Sequence, residues 1–405
     1  MPHPSFVFPQ YNARCFADLP ATVHSLLHGA NTSPLAPEIL RGLTPQYEKV
    51  ILLFIDALGW RFTEQYGQHP FLQRFSQPGR LHKLTSQFPS TTAAHVTCIH
   101  SGLPVAQSGL VEWHYYEPQL DALITPLMFS FTGDRERETL RATRADPRQL
   151  YPTQTLYQQL GVPSVILQSR EYTPSTYSNQ LFQGAETYSY KSLAEGLATL
   201  TQLLNLRPGP GYYFLYFDKV DTVCHDHGPN ALQVEAEILA TLDTLERWAS
   251  RKMPRALLLL TADHGQAEVD PRTVMYLNHL LVWHKIVPHL KRNRAGNLLL
   301  PAGAPRDMFL YVNADAVDEV QAELAQALEG RAVVAKVKDL VAGGWFGPAE
   351  PSAAFWGRIG DLIILPFLGE SVWIYEPDRF EMKFYGHHGG LTPQEMEIPL
   401  GFLEL

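Results

Sequence analysis

Four stretches of the chain hold the residue types that phosphoryl chemistry needs. Phe88-Pro89-Ser90-Thr91-Thr92 sets three hydroxyls in a row, just before apolar residues at helical spacing up to Gly102. Asp221-Thr222-Val223-Cys224-His225-Asp226-His227, Asp263-His264-Gly265 and His387-His388-Gly389-Gly390 supply carboxylates and imidazoles, and Asp56 adds one more carboxylate. A helix start presents unpaired backbone N–H groups and the positive end of the helix dipole, which favour an anion such as a phosphoryl group. Ser90 or Thr91 can equally serve only as an N-cap. Carboxylates crowded at one place repel one another unless a cation joins them. Mixed Asp and His ligation suits zinc or manganese better than magnesium or calcium. Two such ions about 4 Å apart clamp an in-line phosphoryl displacement.

The elements around these stretches must bring them together. Lys49–Asp56 is a β-branched apolar run ending on a carboxylate, and Tyr212–Phe217 and Ala256–Thr261 are similar runs. Amphipathic segments at 192–204 and 231–248 alternate with them, the pattern of a parallel sheet covered on both faces. In such a sheet the carboxyl ends of the strands line one edge, where ligands bind. Two short helices are expected within 18–46, the second at Pro37–Leu40. After about residue 275 a strand, a helix and a strand (308–312, 317–328, 332–337) lie between Pro/Gly-rich joints, and Gly360–Pro366 reads as the core resuming.

Composition narrows the function classes. The chain has 405 residues, 45% of them hydrophobic, and a formal net charge of −9, which argues against a nucleic-acid-binding surface. Three widely spaced cysteines, with no CxxC, fit free thiols in a reducing compartment. Met1–Pro9 has neither the basic region nor the apolar core of a signal segment, and no run of 18 apolar residues occurs, so the expected location is the cytoplasm, without a membrane span.

Taken in order, Asp56 after its strand, Phe88-Pro89-Ser90-Thr91-Thr92, Asp221-x-x-x-His225-x-x-Gly228-Pro229, Asp263-His264-Gly265 and His388-Gly389-Gly390 resemble the alkaline phosphatase superfamily, and within it the type I phosphodiesterase/nucleotide pyrophosphatase branch. The resemblance covers about 50–270 and 360–400. It implies an α/β fold class: an alkaline-phosphatase-like core with a mostly parallel sheet flanked by helices, plus a small inserted α+β cap. Residues 1–270 and 360–405 would form the catalytic core and 271–359 the cap subdomain. Thr92 matches the nucleophile, at the last position of the branch's Phe-Pro-x-x-Thr. The implied cofactors are two divalent metal ions, zinc ahead of manganese. Asp56, Asp263 and His264 would hold one, which also binds the Thr92 oxygen, and Asp221, His225 and His388 the other.

The implied activity is that of a two-metal phosphodiesterase/nucleotide pyrophosphatase, hydrolysing phosphodiester or pyrophosphate bonds through a phosphothreonine intermediate. A phosphomonoesterase or phosphonate hydrolase with the same metals is the alternative, and a metal-binding protein without turnover the alternative from another class. From Leu84 to Asp134 there is no Lys or Arg, although Lys219 and Lys383 can approach from other strand ends. The same stretch offers Trp113 and Tyr115 as a stacking, substrate-binding surface for a nucleotide-like small-molecule phosphoester.

Six protein ligands divided over two sites predict close to two divalent ions per chain. Elemental analysis of protein never exposed to chelator checks this, and one ion or none contradicts it. The branch spacing favours His225 over His227 and His388 over His387. A His227→Ala protein that loses metal, while His225→Ala keeps it, would reverse the first choice.

Overall fold

A run such as Val50-Ile51-Leu52-Leu53-Phe54-Ile55 has no polar face to turn to water, so it is stable only as a strand covered on both sides. The computed structural model describes residues 3–405; Met1 and Pro2, part of the stretch read for a signal segment, lie outside the described residues. In chain order its principal strands are β1 (Lys49–Ile55), β2 (Leu81–Thr85), β3 (Ser164–Ser169), β4 (Glu186–Tyr190), β5 (Gly211–Phe217), β6 (Leu257–Thr261), β7 (Met308–Leu310), β8 (Ala332–Lys336), β9 (Leu362–Pro366) and β10 (Glu397–Glu404). The helices that matter here are α1 (Thr92–Ser101), α2 (Leu193–Leu206), α3 (Lys219–His227), α4 (Leu232–Ala249) and α5 (Val317–Ala327).

Seven strands form the central sheet in the order β2–β10–β6–β1–β5–β3–β4. Strand β10 runs antiparallel to both its neighbours, and every other pair is parallel. Every residue of β1, β5 and β6 is buried. These three strands are adjacent and point the same way, so the segments that follow them emerge side by side. Asp56 directly follows β1, Asp263 lies just past β6, and Asp221 sits in α3 after β5. That adjacency brings together carboxylates about 200 positions apart in sequence.

Strand β9, expected to return the chain to the core, is instead the middle strand of a second sheet, β7–β9–β8, antiparallel throughout. A short, fully apolar run identifies a buried strand but not the sheet it joins. The second sheet uses the alternation of a strand to serve two cores. Met308, Leu310, Leu362, Ile364 and Val334 pack with Val320 and Leu324 of α5. Phe309, Ile363 and Leu365 pack on the other face with Phe88, Ala94 and Leu391, which flank the hydroxyl turn and the His388 loop. Pro37–Leu40, expected as a helix, is a turn; four residues are too few to repay helix nucleation.

Buried ion pairs tie the two parts, Arg306–Glu395 and Arg358–Glu117 among them. Arg306 is fully buried and donates to Glu395 at 2.9 and 2.8 Å, while Glu395 accepts from the Gly390 N–H at 3.0 Å and the Thr392 hydroxyl at 2.6 Å. Removing one partner leaves the other charge buried and alone. Arg306→Met should therefore destabilise the protein by about 3–5 kcal/mol in chemical denaturation, with Arg306→Met/Glu395→Leu recovering part of the loss. A loss below about 1 kcal/mol in the single variant contradicts this account of the joint.

Candidate active site

The first acid cluster forms because two adjacent strands end on carboxylates. Asp56 and Asp263 are 2% and 0% exposed. Asp263 Oδ1 accepts from the Ala57 N–H at 3.2 Å and the His264 N–H at 3.0 Å. Ala57 reaches it only by taking φ +59°, a conformation an L-residue holds at a cost of about 1 kcal/mol. The Tyr216 hydroxyl on β5 donates to Asp56 Oδ2. Asp56 Oδ1 and Asp263 Oδ2 have no hydrogen-bond partner among the described residues. His264 Nε2 stands 3.5 Å from Asp56 Oδ1 and 3.3 Å from Asp263 Oδ2. Its Nδ1 meets the Gly265 carbonyl at 3.0 Å, and since a carbonyl only accepts, Nδ1 carries the proton and Nε2 its lone pair. Close backbone approach is required here: a Cβ on Gly59 would lie 2.6 Å from Gly265 Cα.

The second cluster combines α3 with the His388 loop. Asp221 and His225 are four residues apart on one face of α3, with His225 Nε2 3.4 Å from Asp221 Oδ2. His388 Nε2 lies 3.9 Å from Asp221 Oδ1. The Nδ1 atoms of His225 and His388 meet the carbonyls of Gly386 at 2.8 Å and Ser90 at 3.0 Å, so both rings also offer Nε2 lone pairs inward. Gly389 takes φ +118°, which turns the chain directly after His388. Gln266 donates to Asp221 Oδ1 at 2.5 Å. The rings of His264 and His388 stack at 3.7 Å, joining the two clusters. His227 is exposed, and the His387 Nδ1 is occupied by the His388 N–H at 3.0 Å.

In each cluster three ligand-type side chains offer atoms within 4.8 Å of one another: Asp56, Asp263 and His264 in one, Asp221, His225 and His388 in the other. Burial raises the pKa of all three aspartates, most strongly Asp56, where Asp263 and Asp221 add their repulsion; Asp263 is pushed up to about 7. Burial holds His264 and His388 well below the usual imidazole range, hence neutral. Orphaned carboxylate oxygens beside neutral Nε2 lone pairs are a donor set with nothing but acceptors facing inward. It fits divalent cations of the zinc or manganese kind.

The hydroxyl turn lies against both clusters. Thr92, the first residue of α1, has its Oγ1 3.1 Å from His264 Nε2 and 3.4 Å from Asp56 Oδ2. Thr91 occupies the N-cap position without a side-chain capping bond. Ser90 donates to the Gly390 carbonyl at 2.8 Å. Thr92 alone of the three directs its oxygen to the acid clusters. Buried His95 bridges beneath, its Nδ1 on the Thr91 carbonyl at 2.7 Å and its Nε2 on Ser86 at 2.7 Å.

Two cavities open here. One of about 140 Å³ is lined by Asp56, Thr92, Asp221, Tyr172 and Arg137, and one of about 380 Å³ by Thr92, Asp221, His225, His388, Phe384 and Arg379; Trp113 borders both. Tyr115, expected beside Trp113 in the substrate surface, lines neither. It is 2% exposed, with the Arg358 guanidinium 5.3 Å over its ring, because the strand Tyr115–Glu117 turns it into the core. Lys219 and Lys383 are held by acids instead, Lys219 by Asp218 at 3.3 Å and Lys383 by Glu381 at 3.4 Å. The cations at the cavities are Arg137 and Arg379. Sequence reasoning missed both, as well as Tyr216, Gln266 and Glu112; of these only Gln266, close behind Asp263-His264-Gly265, carried a local signal.

Residues 50–391 match the family described as type I phosphodiesterase / nucleotide pyrophosphatase. Among solved structures, murine ectonucleotide pyrophosphatase/phosphodiesterase 5 is similar at a TM-score of 0.62, with 16% identity over 88% of each chain. An inactive threonine-to-alanine form of that protein in complex with AMP aligns at 0.59 and 16% identity over 88% of each chain. Phosphonoacetate hydrolase from Sinorhizobium meliloti 1021, in complex with phosphonoacetate, aligns at 0.60 and 17% identity over 88% of this chain and 89% of that one. No curated protein sequence matches.

The buried carboxylates set a pH signature. Their folded pKa values lie above the unfolded value of about 3.9, so in chelated protein their contribution to stability is present below about pH 4 and is lost as pH rises through about 7, where Asp263 titrates. Bound cations favour the ionised form. The rise in Tm on adding zinc or manganese to chelated protein should thus be larger at pH 8 than at pH 5, by at least about 5 °C. Thermal melts with and without metal check this, and a rise that is flat or shrinks with pH contradicts it.

Proposed function

The chain belongs to the type I phosphodiesterase/nucleotide pyrophosphatase family of the alkaline phosphatase superfamily, and on that premise we propose that it hydrolyses phosphodiester or pyrophosphate bonds with Thr92 as nucleophile. The observation that carries this reading is the Thr92 oxygen at a helix start, 3.1 Å from His264 and 3.4 Å from Asp56, between two Asp/His clusters. Asp56, Asp263 and His264 would hold one divalent ion and Asp221, His225 and His388 another, zinc ahead of manganese, supplying charge neutralisation and a lowered hydroxyl pKa when bound.

The chain's own residues do the rest. Tyr216 and Gln266 fix the rotamers of Asp56 and Asp221, and backbone carbonyls fix the three histidine tautomers. The Thr92 N–H and the dipole of α1 favour the anionic phosphoryl group in front of them. As the bond from Thr92 Oγ1 to phosphorus forms, the bond to the leaving oxygen breaks, and the threonine proton ends on the departing alcohol. Water then releases Thr92 and a phosphomonoester. The AMP complex of the murine protein and its inactivity without one threonine are consistent with such a substrate and role.

A diester is favoured over a monoester. A dianion calls for a close guanidinium or ammonium, and of the lysines and arginines only Arg137 and Arg379 line the cavities, one in each. A nucleotide-like arm against Trp113, 37% exposed, belongs to this reading. So does the stretch from 271 through β9 as an inserted cap, since its small sheet packs on the hydroxyl turn. Three buried, unpaired cysteines support a reducing, cytoplasmic location.

Thr92→Ala should lower turnover of bis-p-nitrophenyl phosphate at least about a thousandfold, roughly 4 kcal/mol of barrier, with metal content retained. Thr92→Ser should keep measurable activity. Thr91→Ala, which removes no capping bond, should stay within about tenfold of the parent. Steady-state rates with zinc or manganese supplied test all three. Full activity in Thr92→Ala overturns the assignment.

A further inference from the structure

The two cavities beside Thr92 are unequal, and the inequality has a direction. The smaller one, about 140 Å³, is bounded by Asp56 and by Tyr216, the side from which the Thr92 oxygen is held. The larger one, about 380 Å³, shares Thr92, Trp113 and Asp221 with the smaller and opens on His225 and His388, the two histidines of the other cluster. An in-line displacement sends the leaving oxygen away from the attacking one, towards the cluster that does not hold the attacker. The leaving group therefore enters the larger cavity.

The lining of that cavity says what fits. Trp113 and Phe384 are 37% and 41% exposed, large apolar faces left open inside one recess. The Phe384 ring lies 4.8 Å from the His225 ring, so it borders the point where the leaving oxygen departs. Trp373 and Phe380 back the recess, buried. At its far side Arg379 lies 5.0 Å over the Phe380 ring, donating to Glu376 at 2.8 Å and to the Thr132 carbonyl at 3.2 Å, with further N–H groups unused. Its contact with Glu376 is an ion pair, whereas Glu381, also in the lining, pairs with Lys383 at 3.4 Å. A pyrophosphate leaving group carries several negative charges and calls for several cations; the one Lys or Arg in this lining is Arg379, beside the carboxylates of Glu112, Asp221 and Glu381 and the rings of Trp113, Trp373, Phe380 and Phe384.

We propose that the larger cavity is a leaving-group pocket for a flat aromatic alcohol bearing one remote negative charge, stacked on Trp113 and Phe384 and read by Arg379. The proposal rests on the displacement reading above and adds the substrate class: mixed diesters with an aromatic, singly charged leaving arm.

The test is calorimetric binding of 2-naphthol-6-sulfonate to metal-loaded protein, with metal content measured for every variant. The native protein should bind it with a Kd of about 1 mM or tighter, and Trp113→Ala and Phe384→Ala should each weaken binding at least about fivefold. Arg379→Gln should weaken the sulfonate at least about threefold and unsulfonated 2-naphthol by less. Absence of binding to the native protein, or native affinity in both aromatic variants, overturns the proposal. So does loss of metal in both, which would make the rings supports of the cluster and not a pocket. Hydrolysis of bis-p-nitrophenyl phosphate is followed in parallel. Its absence in the native protein refutes the displacement reading, whereas sulfonate binding decides the pocket separately.

Discussion

Three aspartates crowded at one edge of a parallel sheet are the constraint on which the rest of the site depends. Asp56 and Asp263 follow adjacent parallel strands and Asp221 lies in the helix after a third; burial raises all three pKa values, and repulsion from Asp221 adds to it at Asp56 and Asp263. Two of their oxygens have no partner among the described residues. A folded protein rarely leaves buried acceptors unpaired without a reason. Those two oxygens meet no donor; beside the clusters stand three imidazole lone pairs, each aimed by a backbone carbonyl behind the ring. Such an arrangement is costly by itself and favourable around cations.

The remainder of the fold holds that arrangement in register. Gly59 and Gly265 allow the loops after β1 and β6 to touch, and Ala57 accepts a left-handed conformation so that its N–H reaches Asp263. The second sheet contributes from outside the core: one face packs on Phe88 and Leu391, and Arg306 anchors the Glu395 carboxylate that organises Gly390 and Thr392. The position of His388 therefore depends on residues from both parts of the molecule.

Much of this was legible in the chain because its cause is local. Apolar runs ending on Asp56 and near Asp263, and the spacing of Asp221 and His225, are consequences of strand burial and helix periodicity that a sequence displays directly. What stayed hidden depends on distant pairing. Strand β9 reads as any buried strand, and only its ladder with β7 and β8 assigns it. Tyr115 and Trp113 are two residues apart, yet the short strand starting at Tyr115 buries one ring while the other stays at the cavity mouth. Arg137 and Arg379 reach the cavities from loops far from the hydroxyl turn, and Tyr216 is one aromatic among several on β5. No local pattern separates such residues from their neighbours.

The central claim is that a single hydroxyl, that of Thr92, becomes bonded to phosphorus. Mixing metal-loaded enzyme with a diester, quenching in acid within the first turnover and sequencing the modified peptide by mass spectrometry tests it most directly. The account predicts a phosphoryl adduct on Thr92. An adduct on Ser90 or Thr91 instead would contradict it.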